Sequence, residues 1–169
     1  VQFLDSEFAE LTVAAAMEQN PFTLSAAETG MNSISVSVSP KSKTRTYYCG
    51  YALKSDFDKY ASTEEFIGSV RRKLSASALI AGVSFEEYLA AQLVQGDHPF
   101  EFTGLKPETD YVVYAVGWYA PGDLLTTVLV SAPATTLPDA SGEVTVTFEN
   151  VASDGFDVVC TPDAAIEKY

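Results

Sequence analysis

The chain has 169 residues, 47% of them hydrophobic, with 23 acidic and 10 basic side chains and a formal net charge of −13. That length accommodates one domain or one plus a fragment, and the apolar share is ample for a packed core. Acidity of this degree excludes phosphate backbones and anionic membrane surfaces as partners, since the densest basic run is only Arg71-Arg72-Lys73.

Residues 1–20 read as a leader segment or the tail of a preceding module. Propensity over residues 5–17, around Ala14-Ala15-Ala16, favours a helix, with a strand over residues 8–13 as the rival. Val1 stands where an initiator Met would, which points to a chain processed or cut from something longer, and no signal peptide is visible. Phe22-Thr23-Leu24 predicts a short strand, and Gly30 suits the turn after it, where positive φ is cheap. Ile34, Val36 and Val38 then alternate with Ser33, Ser35, Ser37 and Ser39 up to Pro40. Such a period of two describes a strand with one buried and one wet face.

The next strand, residues 46–53, is rich in tyrosine, with Tyr48 on one face and Tyr47 and Tyr51 on the other. Residues 62–96 break the rhythm. Ser62 with Glu65 is a capping box, followed by Phe66, Val70 and Leu74 at helical spacing. Ser84 with Glu87 repeats the box before Phe85, Leu89 and Leu93, and Gly96 is the expected stop. Strands resume at Phe100-Glu101-Phe102, at residues 111–119 and at residues 124–131, the last two joined by the turn Pro121-Gly122-Asp123. The pattern predicts a mainly β chain, an antiparallel β-sandwich with an inserted helical pair.

A weak internal repeat adds a boundary. Shifted by 122 positions, residues 22–47 fall on residues 144–169 without a gap. Thr23 meets Thr145, Val36 meets Val158, Pro40 meets Pro162 and Tyr47 meets Tyr169, while Leu24, Ile34 and Val38 meet Val146, Phe156 and Cys160. The expected organisation is therefore a leader over 1–20, one module over 21–139 with its helical insertion at about 62–96, and the first strands of a second, incomplete module over 140–169.

Leu105-Lys106-Pro107-Glu108-Thr109-Asp110-Tyr111 has the L-x-P-x-T-x-Y spacing of a tyrosine corner, in which the tyrosine hydroxyl bonds backbone a few residues upstream. Here the chain resembles fibronectin type III-like domains, immunoglobulin-like sandwiches that recur in tandem in secreted or lipid-anchored bacterial surface proteins. In that resemblance Leu105 plugs one end of the sandwich, Pro107 fixes the turn, and Thr109 and Tyr111 complete the corner. The family's tryptophan on the second strand is absent, and Pro121-Gly122-Asp123 stands where some members carry an Arg-Gly-Asp adhesion tripeptide. The resemblance implies a binding and spacing module without catalytic residues or cofactors, placed at the bacterial cell envelope or secreted.

On the strand beginning at Tyr111, the residues Tyr111, Val113 and Ala115 should point into the sandwich, leaving Tyr114, Val116 and Trp118 on the outer face. A sheet apolar on both sides needs a cover, which the inserted helices could supply through Phe66, Val70, Leu74, Phe85 and Leu89. The rival is an open aromatic platform of Trp118, Tyr119 and Tyr114 that stacks on sugar rings or on a partner protein. His98 and Cys49 are the only thiol–imidazole candidates, with no visible third group. Asp56 and Asp58 are a scrap of a calcium loop whose remaining ligands are missing, so solvated turn acids are the expectation and no metal is assigned.

Cys49 and Cys160 fall in different modules and are expected to be free, buried thiols. No apolar stretch is long enough to span a bilayer, although a lipid anchor outside this sequence is compatible with a surface setting. The expected function is a non-catalytic interaction or spacer module with a protein or glycan partner. The alternatives are a glycan-binding module using exposed aromatics and a surface subunit that pairs strands between chains.

Overall fold

The computed structural model describes residues 20–139 and 144–162. The helix expected over residues 5–17, its strand rival and the match of Tyr169 to Tyr47 lie outside the described residues. Among the described residues the chain is mainly β, in antiparallel sheets. The elements run β1 (Phe22–Thr29), β2 (Ser33–Pro40), β3 (Tyr47–Leu53), α1 (Lys54–Phe57), α2 (Thr63–Ala81), α3 (Phe85–Gln92), β4 (His98–Thr103), β5 (Asp110–Tyr119), β6 (Leu124–Leu125) and β7 (Val130–Thr135). A hairpin follows, β8 (Val144–Ala152) and β9 (Gly155–Pro162).

One sheet has the order β1-β2-β4. In the other, β5 pairs with β3 along one side and with β7 and β6 along the other. The apolar sides of these two sheets share a core. Phe22, Ile34, Val36 and Val38 come from the first, and Tyr47, Cys49, Tyr111, Val113, Ala115 and Ala134 from the second. The alternation of β2 places its valines and isoleucine in that core at 0–2% exposure, while Ser37 and Ser39 stay outside. A third layer lies against the other side of β5. Phe66, Ile67, Val70 and Leu74 of α2 and Leu89 of α3 pack there with Tyr114, Val116 and Trp118.

Both inserted helices start as their capping residues dictate. Ser62 accepts from the Glu65 backbone N–H at 3.2 Å and Ser84 from that of Glu87 at 3.2 Å. Glu65 reaches back to the Ala61 N–H at 3.1 Å. Gly82, at φ 72°, closes α2, with the Val83 N–H on the Ala78 carbonyl. The second helix ends at Gln92, short of the expected stop at Gly96, because Val94 is drawn into an antiparallel bridge with Tyr47. Gly96 instead makes the turn into β4, and its carbonyl accepts from the Tyr47 hydroxyl at 2.9 Å.

Other boundaries also move. β1 continues to Thr29, past the expected end at Leu24, since β2 offers it a partner along its whole length. The single strand expected over residues 124–131 is split into β6 and β7. Between them the Thr127 hydroxyl takes the Gly117 N–H at 2.8 Å, so a side chain replaces the ladder there. Gly30 is not among the positive-φ glycines. A Cβ there would lie 2.6 Å from the Ser33 hydroxyl, a contact that rotation of the serine side chain relieves.

One end of the paired sheets is tied together by the corner segment. The Lys106 N–H donates to the Tyr111 hydroxyl at 2.9 Å, five residues upstream of it, and Leu105 is buried beside them. Asn32 in the β1–β2 turn donates to the Leu105 carbonyl at 2.8 Å, and Thr136 beyond β7 donates to that of Lys106 at 2.7 Å. Thr109 closes the turn by donating to the Pro107 carbonyl at 2.7 Å. Replacement of Tyr111 by Phe strands the Lys106 donor without altering the packing. Tyr111→Phe is therefore expected to lower unfolding free energy by about 1–3 kcal/mol with an unchanged urea slope. Urea titration checks this, and a loss too small to resolve would show that the corner bond is dispensable.

Candidate functional site

The three aromatic candidates do not form an open platform. Trp118 is 0% exposed and Tyr114 is 4% exposed, whereas Tyr119 is 51% exposed. The helices cover the face that Trp118 and Tyr114 share, and sheet alternation turns Tyr119 away from it. The helices thus cover this face as the leading expectation had it, the rival open Trp118–Tyr114 platform is absent, and Tyr119 alone of the three meets solvent. The physical reason is area: two large aromatics and a valine in one row gain more from burial under amphipathic helices than from water.

A polar lock holds this cover in place. The Trp118 Nε1–H donates to Asp123 Oδ1 at 2.9 Å, and Arg71 of α2 reaches Asp123 Oδ2 at 2.8 Å. The Arg71 guanidinium lies 5.5 Å from the Trp118 ring centroid, within cation–π range. Asp123 adopts φ 55° in the tight turn after Gly122, a conformation Asp and Asn tolerate better than most residues. The Pro121-Gly122-Asp123 turn therefore works inward, bridging helix and strand. Sequence reading placed the turn but not its carboxylate, because nothing in the spacing of Arg71 and Asp123 marks them as partners.

Tyrosines fill the space between α2 and the sheet. Tyr114 packs edge-on against Phe66 at 4.9 Å between centroids, and Tyr48 lies 6.2 Å from Tyr114 and 6.3 Å from Trp118. Gly50 makes room for them, since a Cβ there would meet the Tyr114 hydroxyl at 2.8 Å. Burial pushes the Tyr114 and Tyr48 phenols above their ordinary range. On the other side of the sheet, burial and then the nearby Cys49 and Asp97 push Tyr47 up to about 12.

The remaining candidates are not assembled into a reactive group. Cys49 lies in the core between the sheets, where burial pushes its thiol up to about 12, opposite to the shift that activates a nucleophile. His98 opens β4 at the surface with its ring 4.6 Å from that of Phe100. Asp56 and Asp58 are engaged by lysines, Asp56 with Lys59 at 2.6 Å and Asp58 with Lys54 at 2.6 Å. Among the described residues no group of three or more His, Cys, Asp or Glu side chains could hold a metal ion. A hollow of about 310 Å³ lies beside α1, lined by Asp56, Lys59, Tyr60, Phe66 and Lys73 among others. Sequence reading missed it because α1 carries no capping signal, its N-cap Leu53 offering no side-chain acceptor.

Both cysteines are free, but only Cys49 is buried. The expected burial of Cys160 is corrected: it lies exposed on β9, a strand whose apolar side chains are also exposed. Among the described residues no helix is long and apolar enough to cross a membrane. No family model matches the chain, and no curated protein matches it.

The lock yields a graded prediction. Asp123→Asn keeps an acceptor for Trp118 and a side chain that tolerates the turn, so its cost should stay within about 1 kcal/mol. Asp123→Ala removes both partners and should cost about 2–3 kcal/mol by urea titration. Equal costs for the two would show that the carboxylate's bonds are not what matters. A second prediction follows from the raised phenols and thiol. Groups whose folded pKa lies above the unfolded value stabilise the fold fully below the unfolded pKa and lose that contribution as pH rises through the folded one. The unperturbed values are 9.0 for Cys49 and 10.0 for Tyr47, and both folded values are about 12. Stability should therefore be lost progressively from about pH 9 to pH 12, followed by urea titration and phenolate absorbance. Constant stability across that window would contradict burial of these groups.

Proposed function

We propose that residues 21–139 form an immunoglobulin-like sandwich of fibronectin type III type, and that the chain serves as a non-catalytic interaction or spacer module of a secreted or cell-surface bacterial protein. The observation that carries this reading is the corner: Tyr111, five residues beyond Lys106, closes the L-x-P-x-T-x-Y segment by accepting its N–H. The sheet orders support it. β1, β2 and β4 face β3, β5 and β7 across one core, the arrangement in which the first, second and fifth strands of such a module oppose its third, sixth and seventh. On that correspondence the helices replace the connection between the third and fifth strands.

A spacer transmits position, so stiffness is what its sequence must supply. The double burial of β5 and the Arg71–Asp123–Trp118 lock both favour it, because they make one mechanical unit of sheets and helices. The glycan-binding alternative loses its main residue, since Trp118 lies under α2 and α3. Antibodies raised against residues 21–139 should label intact source cells or the culture medium. Labelling found only after lysis would overturn the surface assignment. Titration with a glycan panel should leave Trp118 fluorescence unchanged, and a saturable change would restore the glycan reading.

A further inference from the structure

The β8–β9 hairpin repeats β1–β2 in space as well as in sequence. Phe22↔Pro40, Thr23↔Ser39, Leu24↔Val38, Ser25↔Ser37 and Ala26↔Val36 pair across the first. Val144↔Pro162, Thr145↔Thr161, Val146↔Cys160, Thr147↔Val159 and Phe148↔Val158 pair across the second. Each pair of the second is the first shifted by 122 residues, so the register is common to five successive pairs. Alternation then gives the hairpin one apolar side, with Val146, Phe148, Phe156, Val158 and Cys160, and one mostly polar side, with Thr145, Thr147, Glu149, Asp157 and Thr161.

The two copies differ in what covers them. Ile34 and Val36 are 0% and 2% exposed, and their counterparts Phe156 and Val158 are 59% and 52% exposed. In the first copy the cover is the inner side of β3, β5 and β7, made of Tyr47, Cys49, Tyr111, Val113 and Ala115. Two strands with an open apolar face are marginal in water and gain most from such a layer.

We infer that the apolar face of β8–β9 docks the inner side of a second antiparallel sheet, of the tyrosine, valine and alanine chemistry that β3 and β5 present to β1 and β2, supplied in cis by polypeptide on the carboxyl side of Pro162. Two arguments select this occupant over a second copy of the chain. First, the area is small. The exposed side chains of one hairpin face offer on the order of 400 Å², so two such faces would bury on the order of 800 Å² in total. That is below the roughly 1,200 Å² at which stable interfaces begin, whereas a covalently joined sheet binds at high effective concentration. Second, the first copy, in the same register, takes its cover from β3, β5 and β7, which follow it in the same chain. The inference rests on the hairpin alone and is independent of the function proposed for residues 21–139.

Cys160 is the reporter, with Cys49 as the internal buried standard. In protein isolated from its source and kept native, Cys160 should react with a thiol-directed alkylating reagent roughly 100-fold or more slowly than after denaturation, at every protein concentration. Phe148→Ser opens the docked face and should restore fast labelling at Cys160 while Cys49 stays protected. Fast labelling of Cys160 in the native protein would overturn the inference. Protection that disappears on dilution would overturn it in favour of a second copy.

Discussion

β5 is a central strand with no solvent side. Its residues from Tyr111 to Trp118 include a tyrosine, a valine and an alanine turned toward β1, β2 and β4, and another tyrosine, a valine and a tryptophan turned toward the helices. Full burial of a large apolar side chain favours folding by about 1.5–3 kcal/mol, so two such rows on one strand outweigh any single hydrogen bond in the molecule. A strand built this way cannot belong to a two-layer protein with one face in water. It requires a third layer, and α2 and α3 provide it. The insertion between β3 and β4 is thus a structural necessity of the β5 sequence.

The same constraint bears on where partners can bind. The aromatic residues with the greatest capacity for contact are committed to the interior, and the Arg71–Asp123 pair fastens the helices over them. What remains outward on the β1-β2-β4 sheet is mostly hydroxyl-bearing, with Thr23, Ser25, Ser37, Ser39 and Thr103 exposed beside Pro99 and Glu101. Exposed apolar side chains on this exterior include Leu79, Ile80 and Val83 around the end of α2 and the cross-strand pair Tyr119 and Leu124.

Much of this was legible in the residues. Alternation in β2 and β5, the serine caps at Ser62 and Ser84 and the corner at Tyr111 are local patterns, and each acts through neighbours close in sequence. The apolar outer row of β5 favoured helical cover over an open aromatic platform, and the burial of Trp118 agrees, although which helix residues meet it depends on long-range packing. Boundaries failed where a distant partner intervened. Val94 leaves the helix to bridge Tyr47, and Thr127 interrupts the return strand by bonding Gly117. Gly30 suits a turn with positive φ by sequence, but its backbone does not adopt one. The exposure of Cys160 could not be read from the repeat, since an equivalent position is buried only when an equivalent cover exists.

The central claim is that both layers against β5 belong to one cooperative unit. Native-state amide hydrogen exchange measures this directly, residue by residue. The account predicts that the slowest amides of α2 share the opening free energy of those in β5 and β3, and that mild denaturant collapses all of them onto one global unfolding curve. If α2 and α3 instead exchanged through an opening of markedly lower free energy while β5 stayed protected, the helices would be an appendage and the account would be wrong.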